Sequence, residues 1–234
     1  MSLFSGLLQA IPFECATCKR WPSASYAGVT GVCKTCVQTH AKTPQFPVPH
    51  GLDDCIAAVS FDAPWSALIS RYKFAPEPGL ARLFAGLMQR EERIRDLLAG
   101  ADIVMPLPLA PERLEERGFN QAHALAKHLV KHKIDSSLLI RTRNTAPQRL
   151  LDREARARNV ANAFALQAPP HKARSKAYSS VNALFSGKHI LLIDDVMTTG
   201  ATLAAAADPL RRAGAARISA VVIARTPLGH PSAP

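Results

Sequence analysis

The chain is expected to fold as an α/β protein, a mostly parallel sheet flanked by helices, with a small cysteine-rich module ahead of it. Three observations carry that expectation. From residue 54 onward, short aliphatic runs alternate with segments of helical period. The runs at 102–106, 189–194 and 217–224 are continuous rather than alternating, as strands buried on both faces are. Residues 1–45 hold four of the five cysteines, arranged as two CxxC pairs.

Those pairs are Cys15-x-x-Cys18 and Cys33-x-x-Cys36, with 14 residues between them. Each pair can turn two thiolates toward one ion, which is the ligand pattern of a tetrahedral four-cysteine Zn2+ site. Gly28 and Gly31 suit the turns between them. A segment this short buries too little apolar surface to hold itself together otherwise. Four thiolates leave no open position, so the expected zinc is structural. His40 and His50 are spare nitrogen donors that the four-cysteine solution does not need. The module is assigned to residues 1–45 and the α/β domain to 46–234, joined by a stiff linker at 42–50 with three prolines.

In the domain, 54–61 reads as a strand in which Cys55 is a buried small residue. A helix after Pro64 carries Trp65, Leu68, Ile69 and Tyr72 on one side and ends at Lys73. One helix is expected over 79–98, with Leu80, Leu83, Phe84, Leu87, Ile94 and Leu97 as its apolar face and Gly100 as its stop. Strand 102–106 runs into the loop Pro106-Leu107-Pro108, and a helix follows Gln121 to about residue 132. Residues 138–141 read as a further strand, and 168–187 as an exposed loop. Strand 189–194 leads into a helix closed by Gly214, with a kink or restart at Pro209, and 217–224 is the last strand. Right-handed crossovers then open the ends of the strands near 106 and 194 on the same edge.

The formal charge is +11, from 29 Lys and Arg against 18 Asp and Glu. Six arginines fall within 141–158: Arg141, Arg143, Arg149, Arg153, Arg156 and Arg158. Such a field attracts a small polyphosphate or a nucleic-acid backbone, and composition does not choose between them. No apolar stretch is long enough to span a bilayer, and the N-terminus lacks the pattern of a signal peptide. The expectation is a soluble cytoplasmic protein, where thiols remain reduced.

Residues 190–202, Ile-Leu-Leu-Ile-Asp-Asp-Val-Met-Thr-Thr-Gly-Ala-Thr, carry the most chemistry. A buried strand ends in Asp194 and Asp195, then Thr198, Thr199, Gly200, Ala201 and Thr202 open a helix. Backbone N–H groups at a helix start favour a phosphate, and three threonine hydroxyls add donors. Two adjacent carboxylates accept hydrogen bonds from a vicinal diol. Phosphate plus diol describes a ribose 5-phosphate. No Gly-Lys-Thr or Gly-Lys-Ser is present, which excludes a P-loop.

This run resembles the phosphoribosyl-diphosphate signature of type I phosphoribosyltransferases. The wider chain is similar to the ComF family (GntX-like proteins) of phosphoribosyltransferase-related proteins. The resemblance rests on the double CxxC, Tyr72-Lys73, Pro106-Leu107-Pro108, and Arg113 with Arg117-Gly118-Phe119-Asn120-Gln121. It continues through Arg141-x-Arg143, Gln148, Arg156-x-x-Asn159, Ala163-Phe164, the Asp-Asp run and Ala224-Arg225-Thr226. It implies a type I phosphoribosyltransferase-like sheet. It also implies Asp194 and Asp195 as ribose ligands and catalytic acids, with Val196, Met197, Thr198, Thr199, Gly200, Ala201 and Thr202 lining the phosphate loop. Lys73, Arg117, Leu107 and Arg143 become contacts to the leaving diphosphate, with Mg2+ as its companion ion. The implied partners are phosphoribosyl diphosphate and, through the family's association with DNA uptake in competence, single-stranded DNA and uptake proteins. Two functions follow. One is an enzyme transferring phosphoribosyl to an acceptor that the sequence does not name. The other is a non-catalytic DNA-handling protein that retains the sugar-phosphate site. Segment 141–158 resembles a hood over the substrate, and equally fits an amphipathic surface helix. Arg117–Gln121 is either a leaving-group contact or a helix start with Phe119 packed in the core.

Overall fold

The structure is a computed structural model describing residues 13–26, 29–74, 77–142, 162–167 and 181–227. The N-terminal hairpin pairs β1 (Ser25–Tyr26) antiparallel with β2 (Val29–Cys33) and leads directly into α1 (Lys34–His40). The domain's sheet comprises β3 (Asp54–Ser60), β4 (Ile103–Pro106), β7 (His189–Met197) and β8 (Arg217–Arg225). Its order is β3-β8-β7-β4, and each neighbouring pair is parallel. A two-stranded antiparallel ribbon, β5 (Leu139–Arg141) with β6 (Phe164–Leu166), stands apart from it.

Strand alternation divides the interior into two layers. Leu191 and Ile193 of β7 and Val221 and Ile223 of β8 face one cluster, while Ile190, Leu192, Ala220 and Val222 face the other. The first cluster is filled by α2 (Trp65–Phe74), α3 (Pro78–Arg90), α4 (Glu92–Gly100) and α6 (Gln121–Leu129). The second is filled by α8 (Ala201–Arg212), the ribbon and Phe185 of α7 (Val181–Phe185). This is the expected parallel sheet covered on both faces. Val29, Val32 and Val37 of the cysteine module are fully buried in the first cluster together with Leu83 and Phe84 of α3. The hairpin therefore packs on the domain. No helix among the described residues is long and apolar enough to cross a membrane.

Four expectations need correction. The helix expected over 79–98 is two helices, broken at Glu91, whose backbone is extended. Arg95 makes the break tolerable by donating to the exposed carbonyls of Gln89 (2.7 Å) and Arg90 (3.0 Å). Of the kink or restart expected at Pro209, the restart is not made: α8 runs through the proline. Burial of Pro209, Leu210 and Ala213 holds that last turn against the lost backbone bond. The expected loop 168–187 ends in helix α7, anchored by fully buried Phe185; residues 168–180 lie outside the described residues. Finally, β7 does not stop at Asp194 but pairs with β8 as far as Met197 opposite Arg225.

Candidate functional site

The C-terminal ends of β4 and β7 lie side by side, with Pro106 opposite Ile193. Beyond this register the chain cannot continue pairing on both sides, and the loops diverge to leave a cavity of about 640 Å3. Lys73, Leu107, Arg117, Asp194, Asp195, Val196, Thr198 and Thr202 line it, so most of the sequence-derived candidates converge here. Met197 is different. Its side chain is buried in the second cluster, where the Cys55 thiol approaches its sulfur at 3.6 Å. Thr199 turns its hydroxyl to the helix start and accepts from the Ala201 N–H at 3.3 Å. Gly200 has φ +82, a backbone that a side chain would strain, and opens α8. Arg143 and the rest of the arginine run to Arg158 lie outside the described residues, so neither the hood nor the surface helix is described.

The two acids are held by their own backbone. Asp194 accepts from the Asp195 N–H at 2.9 Å, and Asp195 accepts from the Val196 N–H at 2.6 Å. Lys73 Nζ stands 3.4 Å from the Asp195 carboxylate. Burial and the adjacent Asp195 charge push the Asp194 carboxyl up to about 7, against the pull of the Asp195 N–H, Lys73 and Arg141. The site thus concentrates negative charge that a bound cation or hydroxyl donor would relieve.

That raised value has a consequence for stability. Unfolded Asp194 ionises at its ordinary value near 3.8, so between there and about 7 the folded state holds a proton the unfolded state has lost. Stability contributed by Asp194 is full at low pH and is lost as pH rises to about 7. Asp194→Asn keeps the acceptor for the Asp195 N–H but cannot ionise. The variant is expected to gain about 1–3 kcal/mol over the parent across this window, with no further gain above it. Paired thermal melts from pH 4 to 8 check this; a difference independent of pH would contradict it.

Arg117–Gln121 proves to be a brace as well as a wall. Asn120 caps α6 by accepting from the His123 N–H (3.0 Å) and donates to the Leu107 carbonyl (3.0 Å). Gln121 donates to the Lys73 carbonyl (3.1 Å) and accepts from Arg117 Nη1 (3.1 Å). The Tyr72 hydroxyl donates to the Gln121 carbonyl at 2.7 Å, and the Tyr72 ring packs against Phe119. One motif therefore fixes the β4 loop, the Lys73 backbone and Arg117 together. Gly118, at φ +73, supplies the left-handed turn that ends α5 (Pro111–Arg117).

Several wall residues were outside the candidate set. Arg141, placed by β5 and stacked on Phe164 of β6, lines the cavity, as do Arg113, Glu116, Ser70, Phe74 and Thr226. Arg141 and Arg113 stood in recognised motifs, which was the available signal. Ser70, an exposed position within α2, and Phe74, its exposed last residue, carried none, since such positions read as solvated.

A second cluster lies in the module. The sulfurs of Cys15, Cys18, Cys33 and Cys36 all lie within 4.8 Å of one another and can hold a metal ion. Cys15 also accepts from the Cys33 N–H at 3.4 Å. Burial raises the Cys15 thiol, but N–H groups of Cys18, Cys33 and Thr17 outweigh it and bring it down to about 6. Burial and the neighbouring thiols push Cys36 upward. Four thiolates so close need a cation to ionise together, which is the chemistry of a metal site.

The phosphoribosyl transferase domain family matches residues 115–231, from α5 through the Asp-Asp run and β8. The DNA utilization protein YhgH of Escherichia coli K12 is 29% identical over 238 residues, spanning 92% of this chain and 98% of that protein. Competence protein F of Haemophilus influenzae is 30% identical over 169 residues, 69% of this chain and 68% of its own. Competence protein ComFC of Bacillus subtilis is 34% identical over 125 residues, 53% of this chain and 45% of its own. With the parallel sheet, the Asp-Asp strand end and the four-thiol module, these likenesses place the chain in the ComF family of phosphoribosyltransferase-domain proteins.

Proposed function

We propose that this protein binds phosphoribosyl diphosphate with Mg2+ and transfers the phosphoribosyl group to an acceptor nucleophile, acting in the cytoplasm. The observation that carries the proposal is the meeting, in one cavity, of the Asp194-Asp195 pair, the threonine loop opening α8, and the cations Lys73 and Arg117. The ribose hydroxyls donate to Asp194 and Asp195. The 5′-phosphate takes the Thr198–Thr202 loop at the start of α8, from which Thr198 and Thr202 line the cavity. The diphosphate lies toward Lys73, Arg117 and the Leu107 backbone; Arg143, outside the described residues, is proposed as a further contact to it. Mg2+, if bound with the substrate, would supply charge neutralisation at the diphosphate; the raised Asp194 carboxyl would ionise more readily beside such a cation. In the transfer, the C1–O bond to the diphosphate breaks and the leaving oxygen keeps the electron pair. The acceptor's lone pair forms the new bond to C1. The protein's part is to orient the sugar and neutralise the departing charge.

The module, residues 1–45, is proposed as a unit organised by structural Zn2+ and joined to a domain spanning 46–234. Tetrahedral zinc–thiolate bonds of about 2.3 Å place sulfurs roughly 3.8 Å apart. Cys18 and Cys33 Sγ stand 3.7 Å apart, which suits that geometry.

A second reading is favoured by the +11 charge and by relatives named for competence and DNA utilization. In it the sugar-phosphate site serves regulation and the basic surface holds single-stranded DNA. One experiment separates the two. The protein is incubated with phosphoribosyl diphosphate, Mg2+ and a panel of purine, pyrimidine and amine acceptors, and released diphosphate is counted. Acceptor-dependent release is expected. Binding without release, joined to single-strand affinity that weakens steeply with salt, would overturn transfer in favour of the second reading.

A further inference from the structure

The cavity's phosphate loop is secured from behind by a residue that does not line the cavity. Arg225 is the last residue of β8, is 9% exposed, and pairs in the sheet with Met197. Its Nη1 donates to the Thr198 carbonyl and, at 2.9 Å, to the Thr226 carbonyl. The guanidinium lies 5.3 Å from the centre of the Phe46 ring. Phe46 belongs to the stretch between the cysteine module and β3, and that stretch also touches the loop directly. A Cβ on Gly200 would sit 2.5 Å from Pro49 Cγ. The linker is thus laid against the loop, and Arg225 is held between an aromatic face and two carbonyls.

We infer that Arg225, seated on Phe46, is a positioning residue for the 5′-phosphate, a role that rests on the site proposed above. A trans peptide points its C=O and N–H in opposite directions. Anchoring the Thr198 carbonyl on Arg225 therefore turns the Thr199 N–H away from Arg225. The same carbonyl, if free to rotate inward, would present a negative dipole to the phosphate instead of a donor. Pro49 packs where a Cβ on Gly200 would sit, so the linker backs the loop at this point. Arg225 fits this task because one guanidinium nitrogen, Nη1, donates to both carbonyls while the delocalised plane lies against the Phe46 ring. Lysine can donate to the same carbonyls from one nitrogen but lacks the planar group that lies against Phe46.

The test uses the full-length protein and two probes, ribose 5-phosphate and inorganic diphosphate with Mg2+, titrated calorimetrically into the parent, Arg225→Lys, Arg225→Met and Phe46→Leu. Arg225→Met is expected to weaken ribose 5-phosphate about tenfold or more while leaving diphosphate unchanged. Arg225→Lys recovers part of the loss, and Phe46→Leu falls between Lys and the parent. Unchanged ribose 5-phosphate affinity in Arg225→Met overturns the assignment. Equal losses for both probes also overturn it, because they mark general loosening of the fold. A parent that binds neither probe refutes the site itself and the assignment with it, an outcome distinct from the other two.

Discussion

Changing both Asp194 and Asp195 to Asn is expected to abolish the proposed binding of phosphoribosyl diphosphate while leaving the protein folded. The two carboxylates lie within β7, which stays paired with β8 beyond them as far as Met197, so their positions are set by the sheet rather than by a loop. Each uses one oxygen on the following N–H, and an amide oxygen can accept those same bonds, so the backbone is expected to hold. What the amides lack is charge. Hydrogen bonds to a charged acceptor contribute about 1.5–3 kcal/mol each, and losing two weakens the ligand by at least about a hundredfold. The loss also leaves Lys73 without the carboxylate 3.4 Å away, so its charge remains where the diphosphate is proposed to lie. The single variants separate the contributions. Asp194→Asn costs less at low pH, where Asp194 is already protonated, and more above about 7. Calorimetric titration of the parent and three variants at pH 6 and 8 reads both effects, and equal affinities throughout would sink the ribose assignment.

The second large effect concerns the four-thiol cluster. Cys15, Cys33 and Cys36 are buried, Cys18 is exposed, and the hairpin that carries them packs Val29 and Val32 beside Leu83 and Phe84 of α3. Without an ion the clustered sulfurs cannot ionise together, and the module's few apolar residues must hold it alone. Metal binding is then folding free energy for this part of the chain. Chelation, or Cys18→Ser at the exposed ligand, is expected to destabilise the module by more than about 4 kcal/mol and to uncover the α3 face. Elemental analysis finding about one zinc per chain, with a chelator-induced fall in melting temperature, is the expected pair of results. Purified protein with essentially no metal and a melt indifferent to chelator would contradict it.

Much of this was legible in the sequence because its chemistry is local. The aliphatic runs ending at Pro106 and Asp194 announced buried strands, and the paired CxxC spacing announced clustered sulfurs. Parallel connectivity followed from the alternation of strand and helix. What escaped depended on distant partners. Glu91 is an acceptable helix residue, so nothing local marks the break between α3 and α4; it is tolerated because Arg95 reaches back to the open carbonyls. Pro209 reads as a helix breaker, yet the buried residues around it hold the turn together. Asp195 looked like the first residue of a loop, whereas register with β8 keeps the strand going to Met197. The prolines of 42–50 suggested a spacer, and nothing in their spacing reveals that Phe46 and Pro49 meet Arg225 and Gly200. Within the site, the Asp-Asp run pointed to two carboxylates that do line the cavity. The brace from Tyr72 and Gln121 to Lys73 became visible only when two separate helices, α2 and α6, were brought together.

The most direct test of the central claim is a calorimetric titration of the unaltered, zinc-replete protein with phosphoribosyl diphosphate in the presence of Mg2+. A site built from Asp194, Asp195 and the Thr198–Thr202 loop predicts saturable binding at about one ligand per chain, with a Kd of roughly 1–100 μM. Absence of saturable heat up to millimolar ligand would contradict it.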